Sequence, residues 1–139
     1  MPRALQYAGD AQAAEPAPGL WSNCLRVGDA VYTAGLTARD GALRAIGGAE
    51  YEQSCVILRR MAALLAAAGG SLRDVVKLTI YMTDISQRDA FWRARREFFS
   101  GAFPVATLVQ VSALAQPELR IEVDAVAVLN HGGRPGEGP

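Results

Sequence analysis

The feature that most constrains the fold is a strict alternation of apolar and charged residues near the C-terminus. Over residues 119–124 the two kinds of side chain take turns, with Leu119, Ile121 and Val123 apolar and Arg120, Glu122 and Asp124 charged. Successive side chains of an extended strand point to opposite faces. The alternation therefore predicts a strand over 119–129 that belongs to a sheet with two unlike faces.

Six other segments carry a secondary-structure signal. Two short stretches that favour strand flank the turn residues Gly28 and Asp29, as in a β-hairpin. Apolar residues recur at helical spacing over 50–68, and a polar cap opens a second helical segment over 86–99. A capping box over 71–74 leads into a β-branched segment. The predicted order is strands at 25–27 and 30–34, a helix at 50–68, a strand at 75–83, a helix at 86–99, and strands at 107–111 and 119–129.

This order predicts an α+β fold in which one mixed sheet carries two helices on one face. A chain of 139 residues, half of them hydrophobic, fits a single domain. We place that domain at 19–129, after an extended lead-in at 1–18 and before a flexible tail at 130–139, which contains the only histidine, His131. The sheet face that the helices leave open needs another cover, so the pattern favours an oligomer without fixing its number of subunits.

Charge and hydropathy argue against several classes of partner. Lys plus Arg and Asp plus Glu both number 14, so no overall field attracts nucleic acid or an anionic membrane. No apolar run approaches the roughly 20 residues of a membrane helix, and the N-terminus lacks the apolar core of a signal peptide. We predict a cytoplasmic protein whose ligand is a small molecule, with no nucleic-acid partner and no membrane partner.

The sequence has none of the common cofactor motifs. There is no G-x-G-x-x-G after a strand, no phosphate loop and no histidine or cysteine cluster suited to zinc. Cys24 and Cys55 lack metal-ligand spacing and are predicted to be reduced thiols. Cys24 could approach a cleft as a nucleophile, but no histidine outside the tail could activate it, so a buried thiol is favoured. We predict no metal and no cofactor.

Five dispersed stretches resemble the RidA (YjgF, L-PSP) family of imine and enamine deaminases. They extend over most of the predicted domain, from 19 to 128, and together they are far more specific than any single motif. In order they are GLWSNC at 19–24, VGDAVYTAG at 27–35, AAAGGSLRDVVK at 66–77, FPVATLVQVSAL at 103–114 and RIEVDAVAV at 120–128. The resemblance implies a chorismate-mutase-like protomer that assembles as a homotrimer, with three ligand clefts that each take residues from two chains.

The resemblance also implies a site with one side chain missing. In the deaminating members an arginine shortly after Phe-Pro clamps the substrate carboxylate, and this position is Ala106 here. A methyl group has neither the charge nor the planar fork of a guanidinium, and losing such a contact commonly costs ~2 to 5 kcal/mol. The family glutamate that positions a water aligns with Glu122, which we expect to be the catalytic base. Backbone groups around Ala34, Gly35 and Thr107 would help to hold a carbonyl or imine.

Two tryptophans and two arginines complete the candidate binding residues. Trp21 stands where the family often has tyrosine, and Trp92 where deaminating relatives can carry a small polar residue. Both indoles in the cleft would favour a flatter, less charged ligand, although either could instead lie in the core or at the trimer interface. Arg96, one helical turn beyond Trp92, and Arg39 are candidates for a replacement cation. Arginines at such positions are more often solvated surface residues.

Two functions of different classes stay open at this stage. The first is a RidA-like, cofactor-independent hydrolase or tautomerase that acts on a small imine, enamine or related carbonyl metabolite in an inter-subunit cleft. Glu122 would then move a proton or orient water, although a strand carboxylate could also simply face solvent or pair with Arg120. The second is a non-catalytic trimeric protein that binds a small molecule or regulates, which the alanine at position 106 supports.

Overall fold

The computed structural model describes residues 2–5, 16 and 19–130. Two short 3-10 turns, Leu72–Asp74 and Ile85–Gln87, precede the fourth strand and the second helix. The tail after Asn130, His131 included, and most of the predicted lead-in lie outside the described residues. The main elements are β1 (Arg3–Leu5), β2 (Cys24–Val27), β3 (Ala30–Thr33), α1 (Glu50–Ala67), β4 (Val75–Met82), α2 (Arg88–Phe98), β5 (Val105–Gln110) and β6 (Ile121–Val128).

The turn and the capping box that the sequence predicts are both present in the structure. Gly28 has a φ of 59° in the turn between β2 and β3, a conformation that glycine adopts without steric cost. Ser71 and Asp74 form the predicted capping box, in which each side chain accepts a backbone hydrogen bond. The predicted hairpin, both helices and the last three strands are confirmed, with ends that differ by a few residues. The start of α2 shifts to Arg88 because the 3-10 turn occupies the first predicted positions.

The strands form one mixed sheet in the order β1-β2-β3-β6-β4-β5. Neighbouring strands are antiparallel, except that β4 and β5 run parallel and are connected through α2. β1 was not predicted. It pairs with β2, with Arg3 opposite Arg26, and it lies within the segment expected to be only an extended lead-in. A strand of three residues has too little alternation to be recognised before its distant partner is known.

Both helices pack on the same face of the sheet. The core joins Leu58 and Leu65 of α1 and Phe91 of α2 to strand residues such as Ile80 and Val123. All five side chains are fully buried, and burying a large apolar side chain contributes about 1.5 to 3 kcal/mol. The predicted arrangement of one mixed sheet with two helices on one face is confirmed.

The other face of the sheet, called the open face below, is not covered by the helices. The side chains that strand register places on it include Tyr32, Thr79, Tyr81, Glu122 and Asp124. Tyr32 is 48% exposed, and Val109 and Val105 of the edge strand β5 are 39% and 67% exposed. A patch of exposed apolar groups of this kind marks an association or binding surface. Within the described ranges, none of the helices has the length and apolar character needed to cross a membrane.

The loop between β3 and α1 and the first turn of α1 are hydrogen-bonded to the loop that precedes β6. The amide of Ala45 donates to Gln116 Oε1 at 2.9 Å, and Gln53 Nε2 donates to the carbonyl of Glu118 at 2.9 Å. The amide of Arg120 in turn donates to Gln53 Oε1 at 2.9 Å. These bonds hold the loop and the start of α1 beside the start of β6, the strand that carries Glu122.

Candidate functional site

Glu122 of β6 lies directly against Gly35, the second residue after β3. Leu36 and Val123 hold the two segments together by exchanging backbone hydrogen bonds of 2.8 and 3.1 Å. A Cβ atom placed on Gly35 would lie 2.3 Å from Glu122 Oε2. Glycine at position 35 is therefore what leaves room for the carboxylate. Both residues were predicted from the sequence as site residues, but the contact between them was not predicted.

The electrostatic environment makes the Glu122 carboxylate more basic than a solvated one. Burial raises the pKa of this half-buried group above its usual value of 4.5. The positive charge of Arg39 lowers the pKa, and the negative charge of Asp124 raises it again, but burial has the largest effect. A carboxylate with a raised pKa accepts a proton more readily, which is the property that a general base needs.

Two further polar residues of the open face accompany Glu122. Tyr81 is opposite Glu122 in the β4–β6 register, and its hydroxyl donates to Asp124 Oδ2 at 3.1 Å. Burial and the two nearby carboxylates raise the pKa of Tyr81, so this phenol is held as a neutral donor. Asp124 lies two positions beyond Glu122, so the alternation in β6 could have placed it here. Tyr81 could be found only from the pairing of β4 with β6.

Arg39 is the only one of the two proposed replacement cations that interacts with Glu122. Its Nε donates to Thr37 Oγ1 at 3.0 Å, and its carbonyl accepts a hydrogen bond from Arg60 Nη1. Its charge is close enough to lower the pKa of Glu122. Arg96 is exposed on α2, and its charge acts on the neighbouring Arg95. The structure thus places Arg39, and not Arg96, beside the carboxylate.

Trp21 is connected through Asn23 to the segment that contains Gly35. Its indole Nε1 donates to Asn23 Oδ1 at 3.4 Å, and the Asn23 carbonyl accepts a 2.8 Å hydrogen bond from the amide of Ala34. Half of the Trp21 surface is exposed, so the ring is not a core residue. The amide of Ala34 is already engaged by Asn23, so the backbone donor expected there is not free for a ligand.

The remaining predicted residues divide between the two faces of the sheet. Thr107 is opposite Thr79 in the β4–β5 register and lies on the open face, on a different strand from Glu122. Ala106 is opposite the buried Leu78, so its side chain points to the helix side of the sheet. Trp92 lies on that side too, partly packed against the core. One protomer therefore does not bring Glu122 together with Ala106 and Trp92.

An arginine that sequence reasoning did not select lies near Trp92. The guanidinium carbon of Arg95 is 4.5 Å from the centre of the Trp92 ring and 5.0 Å from the centre of the Phe103 ring. Its Nε is buried and has no hydrogen-bond partner among the described residues. Burial, together with the charge of Arg96, lowers the pKa of Arg95. Its spacing from Trp92 was the available signal, because residues three apart share a helix face.

The cysteines are poor candidates for chemistry. Cys24 is 1% exposed in the core, and burial raises the pKa of its thiol to about 11, so the reactive thiolate is disfavoured. Cys55 is also buried and free. Among the residues that the structure describes, no group of three or more potential ligands could hold a metal ion.

Comparison with known proteins agrees with this architecture. The family described as "Endoribonuclease L-PSP" matches residues 12–129. The human protein named 2-iminobutanoate/2-iminopropanoate deaminase is 30% identical over 111 residues, which are 79% of this chain and 80% of that protein. A RutC family protein of Pyrococcus abyssi is 32% identical over 110 residues, covering 78% and 86%. The fold and these matches define a RidA-like α+β protomer.

Solved structures give the same result. A protein of unknown function from Pseudomonas aeruginosa superposes with a TM-score of 0.83 at 35% identity, covering 100% of this chain and 99% of that one. RidA from an Antarctic Psychrobacter species gives a TM-score of 0.79 at 28% identity, covering 91% and 99%. The chain belongs to the L-PSP family, which is also called the RidA or YjgF family.

Proposed function

We propose that the protein is a RidA-like hydrolase or tautomerase that acts, without a cofactor, on a small imine, enamine or related carbonyl metabolite. The observation that carries the proposal is the half-buried Glu122 carboxylate, which lies against Gly35 and has a raised pKa. Relatives named 2-iminobutanoate/2-iminopropanoate deaminase support imines as the substrate class. The proposed location is cytoplasmic.

In the proposed reaction, Glu122 acts as a general base towards a water molecule. The carboxylate takes a proton while the water oxygen bonds to the imine carbon, and the C=N bond becomes a single C–N bond. Glu122 then gives that proton to the nitrogen, the hydroxyl proton of the adduct also passes to the nitrogen, and ammonia leaves as the carbonyl forms. Tautomerisation of an enamine would need only the proton-transfer part. An activated imine requires positioning and proton transfer, which a carboxylate and backbone groups can provide.

The proposed cleft lies between protomers of a homotrimer. Glu122 is on the open face, whereas Ala106 and Trp92 are on the helix side, so only a second chain can bring both sets to one ligand. The exposed Tyr32 and Val109 supply an apolar surface for such an assembly. Each cleft would thus combine the Glu122 side of one protomer with the Trp92 side of its neighbour.

The alternative is a trimer that binds a small molecule and does not transform it. Ala106 favours this alternative, since the clamp that holds a substrate carboxylate in deaminating relatives is absent from that position. The two candidates differ in what becomes of the ligand. A catalyst consumes it at substoichiometric protein concentration, whereas a binding protein leaves it unchanged.

The test is ammonia release from freshly generated 2-iminobutanoate and from a bulkier aromatic imine. We expect the native protein to accelerate release, and Glu122→Gln to lower the rate by about a hundredfold or more. Glu118→Gln, at an exposed position three residues before β6 begins, is the matched control and should keep the native rate. Native turnover in Glu122→Gln would exclude Glu122 as the base. No native turnover, with turnover appearing in Ala106→Arg, would favour the binding protein.

Assembly has its own test. Sedimentation should give about three times the chain mass of 14.8 kDa. Tyr32→Asp on the open face should lower both that mass and the turnover, because a charge on an apolar interface opposes association. Ile46→Asp, at an equally exposed apolar position in the loop before α1, should leave both unchanged. A monomeric native protein with full turnover would refute the shared cleft.

A further inference from the structure

Arg95 is the most unusual cation in the described part of the chain. It is half-buried on α2, its guanidinium lies over the rings of Trp92 and Phe103, and its Nε is fully buried with no hydrogen-bond partner among the described residues. Neither of the two ion pairs found among the described residues involves it. A partly desolvated cation with no carboxylate partner among the described residues is costly, and its attraction to the ring faces offsets only part of that cost.

Arg93 on the same helix shows that a ring contact alone does not explain Arg95. Its guanidinium lies 3.9 Å from the centre of the Tyr51 ring, yet the Arg93 side chain is exposed and keeps its water. Arg95 combines the ring contact with burial. Partial desolvation strengthens the attraction of a guanidinium for an anion, because less water competes with the anion.

Arg95 lies on the same side of the sheet as Ala106, the position at which the expected carboxylate-binding arginine is missing. Phe103, one of its two ring partners, lies three residues before Ala106, and both the helix and the Ala106 side chain are on the helix side of the sheet. Ala106 is itself exposed, so the small side chain leaves open space at the edge strand. Phe103 is 42% exposed, which leaves part of an aromatic surface available beside the cation.

We propose that Arg95, held over Trp92 and Phe103, binds the carboxylate of the ligand in place of an arginine at position 106. The guanidinium donates to the carboxylate oxygens, and the exposed ring surface contacts a flat apolar group of the same ligand. The preferred ligand is therefore a small carboxylate with an aromatic or similarly flat side chain. This inference rests on the proposed function, since it assigns the substrate class of that cleft.

The test is equilibrium binding, which needs no turnover. Calorimetry would compare phenylacetate with phenylacetamide, which has the same ring and no charge. We expect the native protein to bind the anion about tenfold to a hundredfold more tightly, the range that a hydrogen bond to a charged group supplies. Arg95→Gln should abolish this preference, Arg93→Gln should retain it, and the double variant Arg95→Gln, Ala106→Arg should restore it. Phe103→Leu should weaken phenylacetate more than it weakens 2-oxobutanoate.

Several results would overturn the proposal. They are equal affinities for the two probes in the native protein, an unchanged preference in Arg95→Gln, or a loss of the trimer in Arg95→Gln, which would make Arg95 an ion-pair residue between protomers. The outcome is separate from that of the Glu122 test. A carboxylate preference that depends on Arg95, without any turnover, would support the Arg95 site and reject catalysis. Turnover that is unaffected by Arg95→Gln would support catalysis and reject the Arg95 site.

Discussion

Replacing Gly35 with alanine should displace the Glu122 carboxylate and slow turnover while the protein stays folded. The new Cβ would lie 2.3 Å from Oε2 and 2.6 Å from Cδ of Glu122, whereas ordinary contact begins at 3.4 Å. The carboxylate must therefore retreat by about 1 Å, and a shift of that size at a reacting group can cost about a hundredfold in rate. The φ of Gly35 is outside the left-handed region, so alanine adds no backbone strain.

The assay is kcat for imine hydrolysis in four proteins: native, Gly35→Ala, Glu122→Gln and the double variant. If the loss comes from the displaced carboxylate, Gly35→Ala has no further effect once Glu122 is glutamine. Overpacking costs about 1 to 3 kcal/mol, so circular dichroism should show native structure at room temperature. A native kcat in Gly35→Ala would refute the placement of the base against Gly35. An additional loss in the double variant would show that alanine acts by another route.

Four other expectations follow from the same groups. The folded-state pKa of Glu122 is raised. The Glu122 carboxyl group therefore stabilises the folded protein below its usual pKa of 4.5, and this stabilisation is lost as pH rises through the folded-state pKa. Thermal melts should therefore show Glu122→Gln gaining stability relative to the native protein as pH rises above 4.5, and a constant difference would contradict this. Tyr81→Phe removes the 3.1 Å bond to Asp124 and should cost about 0.5 to 1.5 kcal/mol in urea unfolding, with no loss meaning that the bond contributes nothing. Cys24 should resist a thiol reagent until denaturant is added, and fast labelling of the folded protein would contradict its burial. When equal amounts of Glu122→Gln and Arg95→Gln chains are reassembled at random, about a quarter of all clefts should recover turnover, whereas none would recover if both residues acted within one chain.

Most of the fold could be predicted because its signals are local. The alternation that ends at Asp124 specifies a strand with two unlike faces, and Gly28 specifies a tight turn, without any knowledge of distant residues. β1 could not be found in this way. Three residues at Arg3–Leu5 become a strand only through pairing with β2, and that pairing is a long-range contact.

The candidate site was predictable only in part, because its arrangement depends on strand register. Glu122 and Gly35 were chosen separately, but the carboxylate fits against Gly35 only because Leu36 pairs with Val123. Tyr81 joins the site through its position opposite Glu122, which no local pattern gives. The division between Ala106 and Thr107 was available from the sequence, since adjacent strand residues point to opposite faces.

The two faces of the sheet also explain how one protomer can carry both a strong base and a desolvated cation. A guanidinium in direct contact with Glu122 would lower the pKa of the carboxylate and weaken it as a base. Arg95 is on the helix side, so within one chain the sheet separates it from Glu122, and among the described cations Arg39 is the one whose charge acts on the carboxylate. On our proposal, assembly brings the Arg95 of one chain to the Glu122 of its neighbour with the ligand between them. The ligand carboxylate then neutralises the guanidinium, so Glu122 keeps the basicity that burial gives it.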